Sequence, residues 1–133
     1  MSETSIPKTR RKVLTIFWKP VMLTAEGVDQ NVFTLAAGAD SEISLTFVLR
    51  GDAAYYADRQ KETDSIENDA ESMGNPPVRW SWVAHHTGNA VYVVREDIES
   101  YGISSADVAD GIEVVSLGQL NRLLDENDTI LVY

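Results

Sequence analysis

Two places in this chain put charged and aromatic side chains where a parallel α/β sheet would hold a ligand. Trp18 and Lys19 end one apolar run, and Arg50-Gly51-Asp52 stands at the C-terminal edge of another, Glu42 to Arg50. Ligands of such sheets sit in the loops beyond the C-terminal ends of the strands. Trp18, Lys19, Arg50 and Asp52 could therefore line one pocket, whose lysine and arginine suit a small anion. The competing reading of Arg50-Gly51-Asp52 is a turn in which Asp52 caps a short helix opening at Ala53-Ala54-Tyr55-Tyr56. Trp18 can equally be a core or interface residue. His85 and His86 are the only histidines. Neighbours on a helix point in different directions, so the two cannot act as an i, i+4 ligand pair. No serine or cysteine nucleophile motif stands near them, which leaves polar helix-end residues or a general base. The acidic stretch with Asp64, Glu67, Asp69 and Glu71 lacks the spacing of a calcium loop.

Other chemistry is excluded by what is missing. The chain has no cysteine, so it can offer neither a disulfide framework, nor a thiolate nucleophile, nor a persulfide, nor thiolate metal ligands. Glycine-rich phosphate loops, the nucleophile elbow and the zinc-protease motif are absent as well. No nucleophile, base and orienting group can be named together, so the chain is expected to be no enzyme, with no cofactor and no metal. A formal net charge of −10 argues against nucleic acid as a partner. Lys8, Arg10, Arg11 and Lys12 form one local basic cluster, read as a solvated tail or a partner-binding arm. No apolar run approaches the roughly 20 residues of a membrane span, and no signal segment is evident, so a cytoplasmic location is expected.

The elements that would position these residues follow from apolar patterning. A length of 133 residues allows one domain of ordinary size. Lys12 to Trp18, Glu42 to Arg50, Ala90 to Glu96, Gly111 to Val115 and Thr129 to Tyr133 are runs rich in β-branched and aromatic residues, as strands buried on both faces are. Helices are predicted between them. One covers Thr24 to Ala39, with Val28, Val32, Leu35, Ala36 and Ala39 on a single face. A second covers Val78 to Thr87 and stops at Gly88. A single turn spans Asp97 to Tyr101, and Ser104 caps another. Ser116 and Gln119 have capping-box spacing ahead of Leu120, Leu123 and Leu124. Gln60 to Pro77, polar and acidic, reads as a partner-facing loop. Strands alternating with helices imply a single three-layer α/β domain, a mainly parallel five-stranded sheet flanked by helices over residues 12–133, behind a tail of residues 1–11. Trp80 and Trp82, with Tyr55 and Tyr56, are expected as exposed aromatics that could make a subunit contact; the competing reading is core packing.

Several strings resemble the DsrE/DsrF/DsrH-like sulfur-relay family, which includes the TusB, TusC and TusD subunits. Phe47-Val48-Leu49-Arg50-Gly51-Asp52-Ala53-Ala54-Tyr55 is similar to that family's strand and turn, although Arg50-Gly51-Asp52 departs from the usual double-aspartate pattern. Val91 to Ile103 and the ending from Glu113 to Tyr133 are also similar, and the order and spacing of these strings place the likeness closest to the DsrF/TusC branch. The resemblance implies a DsrE-like parallel sheet and assembly as a homo-oligomer, trimer or hexamer, or as a hetero-oligomer with cysteine-bearing DsrE/TusD-like proteins. Persulfide carriage by the DsrE/TusD branch cannot transfer to a chain without cysteine. The implied role is a non-catalytic structural or docking subunit in cytoplasmic sulfur relay or sulfur oxidation. The alternative is an anion-binding or regulatory domain using Trp18, Lys19, Arg50 and Asp52, and a third reading gives His85 or His86 a catalytic role.

Overall fold

The computed structural model describes residues 11–20, 43–61 and 79–133. Five strands fall in these segments: β1 (Arg11–Phe17), β2 (Ile43–Leu49), β3 (Ala90–Val94), β4 (Ile112–Val115) and β5 (Thr129–Val132). Among them lie four α-helical segments, α1 (Gly51–Ala54), α2 (Trp80–Thr87), α3 (Arg95–Ser100) and α4 (Leu117–Asp125), with short 3-10 turns at Tyr55–Ala57 and Ser105–Asp107. The sheet order is β4-β3-β2-β1-β5 and every pairing is parallel. The chain steps outward from β1 to β4, then returns past its start to place β5 on the far side of β1. Because all five strands run the same way, their C-terminal ends share one edge of the molecule, and the loops that could form a site gather there.

Register sorts the apolar residues onto two faces. Val13, Phe17, Leu45, Phe47, Leu49, Val91 and Val93 pack with Ala53 and Ala54 of α1, Trp80 and Val83 of α2, and Ile98 of α3. Leu14, Ile16, Val48, Val94 and Val115 pack on the other face against Leu120 of α4, flanked by Leu123 and Leu124. This is the expected three-layer α/β arrangement, and β1 to β3 are apolar on both faces because helices cover both.

Local signals act as their chemistry requires. The Ser116 hydroxyl accepts from the Gln119 amide at 3.2 Å, and the Gln119 carboxamide oxygen accepts from the Ser116 amide at 2.8 Å, closing the capping box of α4. Gly88 ends α2 at φ +72°, where a side chain would be strained. Some boundaries move. Arg11, assigned to the tail, pairs with Ile43 in β1, and its guanidinium donates to Thr129 Oγ1 at 2.9 Å. The helix after β3 starts at Arg95 rather than Asp97. The helix expected over Thr24–Ala39, the basic residues Lys8 and Arg10, and the acidic stretch from residue 62 to Pro77 lie outside the described residues. Among the described residues, no helix is long and apolar enough to cross a membrane.

Candidate functional site at the strand ends

The loops after β1 and β2 are laced together. The Arg50 amide donates to the Phe17 carbonyl at 2.9 Å, and the Ala53 amide lies 3.3 Å from the Trp18 carbonyl. Gly51 makes this approach feasible: its φ is +50°, and a Cβ there would come 3.0 Å from Trp18 Cε3. The Arg50 guanidinium consequently lies over the Trp18 ring, 4.3 Å from its centre, in cation–π geometry.

Arg50 is already neutralised from within. Its Nε donates to Asp97 Oδ2 at 3.0 Å, and the same oxygen accepts the Gly51 amide at 3.2 Å. Only 18% of the Arg50 side chain and 19% of the Asp97 side chain is exposed. The preceding residue does the same for another helix. Glu96 accepts the Leu117 amide at the start of α4 with both carboxylate oxygens, at 3.3 and 3.2 Å. Two consecutive carboxylates at the end of β3 thus reach helices on opposite faces of the sheet and take the amides an incoming anion would use. The expected helix cap at Asp52 is corrected here: α1 has no cap from its own turn, and Asp97 supplies the acceptor.

Asp52 turns instead toward a tyrosine cluster. The Tyr101 hydroxyl donates to Asp52 Oδ1, and this bond is the main cause that holds the phenol's ionisation above its ordinary value near 10. Tyr55 meets Tyr56 edge-on with centroids 5.3 Å apart, and Tyr101 at 5.1 Å. Lys61 places its ammonium 3.7 Å from the centre of the Tyr55 ring while pairing with Asp58 at 3.3 Å. Pro20, Asp52, Tyr55, Tyr56 and Tyr101 line a groove of about 300 Å³. Beyond Tyr101 lies a second groove of about 360 Å³, lined by residues that include Asp58, Lys61 and Asp107. A separate tyrosine, Tyr92 on β3, is also raised, through partial burial and then the negative charges of Glu113 and Glu126.

The residues singled out from sequence therefore separate. Trp18 and Arg50 stand together, Asp52 faces away from them, and Lys19 is exposed without an ion-pair partner among the described residues. Trp80 is corrected: it is 1% exposed, with its ring 5.0 Å from Phe17 and 5.6 Å from Phe47, so it is core and not a contact surface. Trp82 is 46% exposed and stacks on His86, centroids 4.5 Å apart. His86 Nδ1 lies 3.1 Å from the Trp82 carbonyl, and the His85 ring lies against Gly111. Asp97, Glu96 and Tyr101 were not singled out from sequence, although each follows the β3 run at a strand end. Among the described residues, no group of three or more His, Cys, Asp and Glu side chains is placed to hold a metal ion.

No family model matches the sequence, and no curated protein does. Solved structures do. The crystal structure of the YchN protein from E. coli superposes with a TM-score of 0.63 at 15% identity, covering 94% of this chain and all of that one. At that identity the likeness is one of fold, and it agrees with the single α/β domain with a parallel five-stranded sheet expected from the sequence.

Proposed function

We propose that this chain is a non-catalytic DsrE/DsrF-like protein acting as a structural or docking subunit in cytoplasmic sulfur relay or sulfur oxidation. The observation that carries the reading is a DsrE-like fold over 94% of the chain combined with the absence of any cysteine. A domain of that shape without a thiol has no atom on which to carry a persulfide, so its contribution lies in the surface it presents to a partner that has one. Two features support a docking role. The strand-end amides at α1 and α4 are taken by Asp97 and Glu96, which disfavours an anion in their place. Among the described residues, strand β5 closes one edge of the sheet with Ile130, Leu131 and Val132 all exposed, the kind of edge that invites a further chain. On this reading the partners are further copies of the chain or a cysteine-bearing DsrE/TusD-like protein.

Calorimetric titration distinguishes docking from ligand binding. The chain is titrated with a cysteine-bearing DsrE/TusD-like protein encoded by the same organism, and separately with sulfite, thiosulfate and nucleotides. Saturable heat with the protein and none with the anions is the expected result. Saturable heat with an anion, lost in Arg50→Ala, would replace this reading by the anion-binding one.

A further inference from the structure

We propose that the groove between Asp52 and the three tyrosines is a binding site for an organic cation, an alkylammonium or guanidinium group. The inference goes beyond the docking role and does not depend on it. Among the described residues the lining is Pro20, Asp52, Tyr55, Tyr56 and Tyr101, which offer aromatic rings and one carboxylate and no basic group. Tyrosine faces attract cations through the ring quadrupole, and a carboxylate beside them adds charge. The rings are fixed before any ligand arrives: Tyr55 is held edge-on by Tyr56 and Tyr101, and the Tyr101 hydroxyl is anchored on Asp52 Oδ1. That bond leaves Asp52 Oδ2 without a partner among the described residues.

The molecule already displays the chemistry. Lys61, which does not line this groove, sets its ammonium 3.7 Å from the centre of the Tyr55 ring. Tyr55 and Tyr101 remain 38% and 40% exposed, so ring surface is left for a second cation. A volume of about 300 Å³ is at the small end of ligand cavities, which fits one cationic head group rather than a whole cofactor. The net charge of −10 draws cations toward the surface and repels anions. Such a group can arrive on a small amine or on the lysine or arginine side chain of a protein.

The test is an NMR titration of the intact chain with butylguanidinium and butylammonium chloride, with sodium butyrate as the anionic control at equal ionic strength. Saturable shifts of the Tyr55, Tyr56 and Tyr101 ring protons are expected at millimolar cation and not with butyrate. Asp52→Asn, isosteric and exposed, should weaken binding at least about threefold, whereas Asp125→Asn, an exposed acid on α4, should leave it unchanged. Tyr55→Leu should abolish saturation, and if that variant fails to fold, Asp52→Asn alone decides. Equal weakening by Asp52→Asn and Asp125→Asn, or equal shifts with butyrate, would overturn the assignment. A glycine peptide with one central lysine separates the sources. Tighter binding than butylammonium identifies a partner's side chain, and equal binding identifies a small amine.

Discussion

Replacing Asp97 by alanine should cost more than any other single surface carboxylate in the described segments. The side chain accepts from two groups at once, the Arg50 Nε at 3.0 Å and the Gly51 amide at 3.2 Å. Losing the acceptor at a helix start costs about 1 kcal/mol. Losing a hydrogen bond to a charged group costs about 1.5–3 kcal/mol. The second figure belongs at its lower end, because about a fifth of each side chain meets solvent and Arg50 keeps its stack on Trp18. The sum is about 2–3 kcal/mol, or a fall in Tm of roughly 6–12 °C for a domain of this size. Urea unfolding followed by circular dichroism, with calorimetry for Tm, reads both. Glu99→Ala is the matched control: Glu99 pairs with Arg95 at 3.8 Å with both side chains at least half exposed, and such pairs are worth under about 0.5 kcal/mol. The double variant with Arg50→Ala should show coupling of at least about 1 kcal/mol. If Asp97→Ala stays within about 0.5 kcal/mol of the parent, or the cycle shows no coupling, the clamp described here does not hold the strand ends together.

Three further outcomes follow from the same geometry. Trp80→Ala should lose about 3–5 kcal/mol, a large share of the roughly 5–15 kcal/mol a domain possesses, whereas Trp82→Ala should lose under about 1 kcal/mol; equal losses by denaturant midpoint would contradict the assignment of core and surface. Gly51→Ala should lose at least about 1 kcal/mol in the same assay, because alanine must adopt a positive φ against the Trp18 ring. In an alkaline titration of tyrosinate absorbance, Tyr101 should ionise above the ordinary phenol value, and Asp52→Asn should bring it down. Since the folded value is the raised one, this contact contributes stability that is fully present below about pH 10 and is lost as pH rises through the folded value.

The fold was legible because burial on both faces leaves a strong mark. The runs at Val13–Phe17, Leu45–Leu49 and Val91–Val94 contain little but apolar residues, and Ser116 and Gln119 announce their helix by spacing alone. The site was less legible because its central contacts are distant in sequence. Arg50 and Asp97 lie 47 residues apart, and only the β2–β3 register, with Leu49 beside Val93, brings the two strand ends together. Trp80 and Trp82 look alike in composition but point about 200° apart on a helix. The signal that separates them was present: Trp80, Val83 and Ala84 fall at i, i+3 and i+4 and form the buried stripe, while Trp82 shares its face with His85 and His86. Asp52 beside Arg50 suggested one mixed-charge pocket, yet the two side chains leave the turn in different directions, toward Tyr101 and toward Asp97.

The docking role is tested most directly by the mass of the purified chain in solution, measured by light scattering on a size-exclusion column, alone and mixed with a cysteine-bearing DsrE/TusD-like protein of the same organism. The expected result is either a homo-oligomer of the chain alone or a new, larger species of fixed composition in the mixture. A chain that elutes as a 14.7 kDa monomer under both conditions would contradict it.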